Sequence, residues 1–349
     1  MTIASVASAL PRNRYSQETI TAALQNHWAG RLPRPQLLER VHARAGVGTR
    51  YLAFPMERYA RFGSWGETNA AWFEAAQELG ERALGLALER AGLTVTQLDA
   101  LIVVSVTGIA SPSLDARLIN RMGLRPDLKR TPIFGLGCVG GAVGLTRAAD
   151  YVRAYPGQVA ALLAVETCSL AIQREDFSNT NMVATALFGD GAGVALLAGE
   201  ARAARGPRVL DCHSVFYPDT EEIMGWNISE RGFGIVLSPA LPDLIRGRLR
   251  NDVDRFLDRH SLKRADIGNW LIHTGGPKVL DAMAEALELR PDAMDVSWDC
   301  LRRFGNLSSA SVLLVLEEVM LNRRPPAGTL SLLLALGPGF SSEIILLQW

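Results

Sequence analysis

The sequence predicts a layered α/β protein made of two similar halves, and three observations carry that prediction. Apolar runs such as "QVAALLAVE" and "TLSLLLALG" are continuous rather than alternating, as in strands buried on both faces. Helix-period segments, "VGLTRAADYVRAY" and "SVLLVLEEVMLNR", alternate with those runs, so helices should cover the sheets. The same landmarks then occur twice in order. Thr107-Gly108 recurs as Thr274-Gly275, 167 residues on, and Phe134-Gly135 recurs as Phe304-Gly305, 170 residues on. Such a spacing argues for duplication with modest insertions, and a site is expected where the halves meet.

In chain order, "MTIASVASALPRN" reads as a first strand, lacking the basic and sustained apolar regions of a signal peptide. "LTVTQLDALIVVSVTG" leads into a strand over Leu101–Val106, whereas "RTPIF" is a poor strand. The Gly-rich "FGLGCVGGAVG" opens a helix, and "QVAALLAVE" and "GAGVALLAG" close the first half. "GEARAARGPR" is small, charged and punctuated by Gly and Pro, so it reads as a linker between halves at 1–205 and 206–349. The second half repeats the plan with "LDCHSVF", a strand over Trp270–His273 and "SSEIILLQW".

Composition excludes several classes. With 349 residues, 48% of them apolar, the chain can bury an ample core without staples. Its 36 basic and 36 acidic residues give no reason to expect nucleic acid or an anionic membrane as partner. No apolar run approaches the roughly 18 to 20 residues of a membrane span. Four cysteines without C-x-x-C spacing suggest neither a metal site nor disulfides, and a cytoplasmic setting is expected.

Gly135, Gly137 and Gly140 spell the dinucleotide fingerprint, and Glu166 falls where a ribose-binding acid would sit. The weak preceding strand and mid-chain position count against that reading. Cys138 supports another. At the first turn of a helix, free backbone N–H groups and the macrodipole favour an anion and should lower a thiol's pKa. Among five histidines, His273 ends an apolar strand and meets a Gly-Gly turn, while His213 reads as a core histidine and His27, His42 and His260 lie in polar or helix-like stretches. Asn306 lies in the second half at the register of Cys138, where an Asn is otherwise a helix cap. Halves packed about a two-fold axis would converge Cys138, His273 and Asn306. The papain-type Cys signature is absent.

At these residues the sequence resembles the type III polyketide synthases, the chalcone synthase-like branch of the thiolase fold. "GLGCVGGAVGL", "HTGGP", "FGNLSSASV", "ALFGDGAG" and "LGPGF" carry the resemblance, in order and across the chain. It implies a thiolase-like α-β-α-β-α arrangement and a homodimeric acyltransferase that needs no cofactor. Cys138 would load an acyl group from acyl-CoA. Malonyl-CoA would then lose carbon dioxide, and its enolate would attack the acyl thioester, with His273 and Asn306 at the developing charge. Phe188 matches the family's gatekeeper. Ile235 stands where plant-type enzymes carry a second Phe, Trp226 where they carry a Gly, and Thr274 where a Pro is usual. Arg40 and Arg44 match residues that bind CoA phosphates, and Gly337, Pro338 and Gly339 match a cavity loop. Thr107, Cys168, Ala171 and Ile172 match positions lining an acyl route. The resemblance is greatest to bacterial members that take long-chain fatty acyl-CoA and release alkyl α-pyrones or resorcinols. A ketosynthase III acting once, or a catalytically silent scaffold, are the alternatives.

Overall fold

The computed structural model describes residues 1–32 and 34–349. Strands of the first half are β1 (Thr2–Ala9), β2 (Asn13–Ser16), β3 (Thr49–Leu52), β4 (Ala100–Val104), β5 (Lys129–Ile133), β6 (Val159–Thr167) and β7 (Asp190–Ala198). Those of the second are β8 (Arg208–Phe216), β9 (Met224–Ser229), β10 (Gly232–Leu237), β11 (Ile267–Ile272), β12 (Leu330–Gly337) and β13 (Ser341–Gln348). The central sheet runs β11-β12-β13-β8-β1-β7-β6-β4-β5.

The repeat read from the sequence is visible in this order. β6 lies parallel to β4 and antiparallel to β7, just as β12 lies parallel to β11 and antiparallel to β13. β1 closes on β7 as β8 closes on β13, both antiparallel. The two half-sheets touch through one register pair, Thr2 with Arg208. "RTPIF", read as a poor strand, supplies β5, an exposed edge strand paired parallel to β4. Edge pairing and position override its weak propensity there.

Five layers follow from which faces are apolar. Every residue of β6 and β7 is buried, since helices cover both faces. The helix Gly140–Ala154 and its counterpart Ser311–Asn322 fill the middle layer between the half-sheets. Trp65–Ala91 covers the outer face of the first half-sheet, and Leu241–Asp258 with Pro277–Leu287 covers that of the second. The central crossing is close because it is built on glycine. A Cβ on Gly141 would sit 2.0 Å from the Ser309 carbonyl oxygen. No helix among the described residues is long and apolar enough to cross a membrane.

Candidate active site

Each half donates a short 3-10 turn that runs into a central helix: Gly137–Val139 before Gly140–Ala154, and Ser308–Ala310 before Ser311–Asn322. Cys138 lies in the first turn, buried, with its Sγ 3.7 Å from the Ser308 Oγ of the second. Gly137 adopts φ +52°, and a Cβ there would lie 2.5 Å from Pro338 Cδ. The Gly337–Gly339 loop therefore braces the cysteine turn directly, and only glycine fits beneath it.

Asn306 is bridged to Phe188: Gly189 N–H donates to its carbonyl (2.9 Å), and its own N–H donates to Leu187 O (2.8 Å). Its side-chain Oδ1 accepts from Ser308 N–H at 2.8 Å. The asparagine is not the cap of the helix that follows; its Oδ1 closes a turn with the N–H two residues on, which leaves Nδ2 as the group for the thiol side. Ser308 sits at φ +48°, a left-handed conformation unusual outside glycine, which that turn helps to hold. His273 follows β11, anchored by its N–H to Leu334 O at 3.0 Å, and both ring nitrogens are buried without a partner. Thr274, in place of proline, aims its hydroxyl at Gly305 O, 3.5 Å away.

Cys138, His273, Asn306 and Phe188 line one cavity of about 730 Å³. The exposed Arg40, Arg44 and Lys278 line it too and mark its mouth, and none of them has a carboxylate partner among the described residues. Burial dominates the electrostatics at depth. It pushes the Cys138 thiol up to about 11, against hydrogen bonding from Ser308 and Asn306 and with a smaller push from Glu166. It also pushes the His273 imidazole down to about 4. The expectation that the helix start lowers the thiol's pKa is corrected here: desolvation outweighs the dipole at this depth. A lone charge is costly on either group at this depth.

Behind the cysteine, Glu166 is fully buried. It accepts from Thr107 Oγ1 (2.8 Å), Val106 N–H (3.1 Å), Ser105 Oγ (3.4 Å) and Ser309 Oγ. Burial raises it to about 7 despite those donors.

Residues 2–201 match the N-terminal domain of chalcone and stilbene synthases, and residues 209–349 match the C-terminal domain. The chain belongs to the chalcone and stilbene synthase family. It is a type III polyketide synthase, an acyltransferase of decarboxylative condensation with malonyl-CoA. The 1,3,6,8-tetrahydroxynaphthalene synthase of Streptomyces peucetius subsp. caesius is 49% identical over 350 residues, covering 99% of this chain and 93% of that protein. Phloroglucinol synthase of Pseudomonas fluorescens is 30% identical, covering 97% of this chain and 96% of that protein. The crystal structure of the 1,3,6,8-tetrahydroxynaphthalene synthase of Streptomyces coelicolor matches with a TM-score of 0.95 at 30% identity, covering 100% of this chain and 99% of that one.

In this polyketide synthase the remaining expected residues lie apart from the cavity just described. Thr107 is spent on Glu166 and on Thr167 N–H (3.0 Å). Cys168 and Ala171 are buried in the short helix after β6, with Ile172 next to it half-buried. Burial, then the charges of Glu166 and Asp190, drive the Cys168 thiol well above its ordinary range. Ile235 and Trp226 are register partners in the β9–β10 hairpin, and Trp226 packs on Phe233 at 5.8 Å. His213, expected in the core, is only half-buried on β8, where it stacks on Phe256. His42, expected in a polar stretch, is instead buried between Thr21 (2.9 Å) and Thr185 (3.2 Å) and held down to about 3. Ser308, Ser309, Arg50 and Lys278 also escape sequence reading. For Ser308 the signal was available: it directly follows the asparagine turn at the register facing Cys138.

Proposed function

We propose that Cys138 carries the growing acyl chain, and that His273 and Asn306 donate hydrogen bonds to the thioester oxygen of malonyl-CoA as it loses carbon dioxide. The carbon–carbon bond to the carboxylate breaks, its electron pair becomes the enolate, and that carbon attacks the acyl thioester on Cys138, releasing the cysteine sulfur. Decarboxylation supplies the nucleophile, so no strong base is required; donors in a dry site are. The observation that carries this reading is the meeting of those three side chains from both halves in one cavity. Phe188 separates that centre from the arm toward the mouth, where Arg40 and Arg44 hold the CoA phosphates. The proposal includes a homodimer in the cytoplasm.

For the product, the reading with most support is a polyhydroxylated aromatic such as tetrahydroxynaphthalene, assembled from malonyl-CoA alone. Oxygens on alternate carbons are what a linear poly-β-ketone retains after ring closure. The 49% identity over nearly the whole chain supports it. A second reading, a long-chain fatty acyl starter released as an alkyl α-pyrone or resorcinol, is favoured by the apolar lining of Leu237, Leu241, Ile245, Met283 and Phe340. Incubation with malonyl-CoA alone, and with added hexanoyl- to palmitoyl-CoA, followed by mass analysis, separates the two. A product from malonyl-CoA alone supports the first; products only with the fatty starter support the second. Cys138→Ala should give neither.

A further inference from the structure

Arg50, on β3, is 1% exposed, and no carboxylate among the described residues bonds to it. Its Nη1 donates to the carbonyls of Thr185 and Phe188, the latter at 3.0 Å. Nε and Nη2 have no partner among the described residues. Asp190, whose charge acts on Arg50, spends its hydrogen bonds elsewhere, accepting from Ala53 N–H (2.6 Å), Ser169 N–H (2.8 Å) and the Ser169 hydroxyl. A buried guanidinium so poorly compensated is a cost to stability, and its placement suggests what it is kept for.

The Phe188 carbonyl belongs to the strand side of the bridge that holds Asn306, and Thr185 belongs to the last turn of the helix Asn179–Leu187 leading into Phe188. Arg50 therefore satisfies carbonyls at the C-terminal end of that helix, where a cation is favoured. Its aliphatic stem lies under the same bridge. A Cβ on Gly305 would be 3.1 Å from Arg50 Cγ and 3.2 Å from Cδ, and one on Gly189 would be 3.7 Å from Cγ. Gly305 and Gly189 flank Asn306 and Phe188 on either side of the bridge.

We propose that Arg50 is a positioning residue that locks the Phe188–Asn306 bridge from beneath, setting where the asparagine amide meets the thioester oxygen. This rests on the role given to Asn306 above. The predicted signature is selective. Arg50 does not approach Cys138 in the hydrogen-bond network and reaches it only through Asn306, the second of two side chains that bond the thiol after Ser308, so the intrinsic reactivity of the thiol should fall far less than decarboxylation. Decarboxylation depends on the amide's place and should not survive, since displacements of about 1 Å in such groups cost on the order of 100-fold.

The test uses Arg50→Met and Arg50→Lys in the full-length protein. Decarboxylation is read as acetyl-CoA formed from malonyl-CoA, and thiol reactivity as iodoacetamide labelling of Cys138 by mass. Decarboxylation should fall on the order of 100-fold in Arg50→Met and less in Arg50→Lys, which keeps a cationic donor. Labelling should stay within about threefold of the parent. Combined with Asn306→Ala, Arg50→Met should add little further loss, because coupled positions are non-additive. The proposal falls if decarboxylation is unchanged in a folded variant, if both readouts drop together, or if the losses multiply. It also falls if both variants fail to fold, which would make Arg50 a residue of the fold alone. Full decarboxylation by Asn306→Ala by itself would instead overturn the reading of Asn306.

Discussion

The proposed chemistry turns on one sulfur whose surroundings oppose its ionisation. Burial holds the Cys138 thiol at about 11 and the His273 imidazole at about 4, so at neutral pH each alone is uncharged. A thiol at about 11 is thiolate to only about one part in a thousand at pH 8. We propose that His273 accepts the thiol proton and so makes the sulfur reactive at lower pH. Iodoacetamide labelling of Cys138 should therefore reach its plateau at lower pH in the parent than in His273→Ala, where the rate should still be climbing at pH 10. Superimposable profiles would show that His273 does not accept that proton. At this scale the meeting of Cys138, His273 and Asn306 in one cavity was legible, because strand ends and helix starts in two repeated halves bring such residues together. Arg50 and His42 were not, because an arginine or a histidine in a polar stretch looks solvated until long-range packing buries it.

At the scale of elements, the glycines of "FGLGCVGGAVG" set how closely the two central helices approach. Gly141→Ala would drive a methyl group into the Ser309 carbonyl and against Val312 Cγ1, 3.1 Å away. Overpacking of that kind costs about 1–3 kcal/mol, and it pushes on the turn that faces Cys138. Denaturant unfolding should show that loss, and condensation should fall with it. Gly85→Ala makes the contrast. It sits in the helix Trp65–Ala91 with nothing within 4 Å of a new Cβ, so it should stabilise by about 0.5–1 kcal/mol. A neutral Gly141→Ala would mean that the crossing is looser than these distances. The buried strands β4, β6, β7, β11, β12 and β13 and the two central helices were legible from continuous apolar runs and helical period, whereas the short strand pairs β2–β3 and β9–β10 carried no such signal. The edge strand β5 was not legible either, since its pairing rather than its residues makes it a strand.

The whole molecule presents a cavity whose mouth is cationic and whose depth is apolar. Arg40, Arg44 and Lys278 stand there without carboxylate partners among the described residues. The double variant Arg40→Ala/Arg44→Ala should raise KM for malonyl-CoA about tenfold or more, with kcat nearly unchanged, because uniform binding is what such contacts supply. Rising salt should weaken the parent more than the variant. A change confined to kcat would reject a phosphate-binding mouth. The duplication was legible as recurring landmarks, and the sheet order shows why: each half repeats the same strand pairings. Cavity contents were less legible, since several residues aligned with an acyl route line other space. One consequence of the two facing turns concerns noise rather than strength. The thiol and the asparagine amide are mounted on neighbouring helix starts at the centre of the molecule, in the layer that surface loops disturb least. A displacement of that layer carries nucleophile and donor together, so their separation is insensitive to the breathing of the shell. The machine keeps its alignment as a tuning fork keeps its pitch, by joining both working tips to one stem.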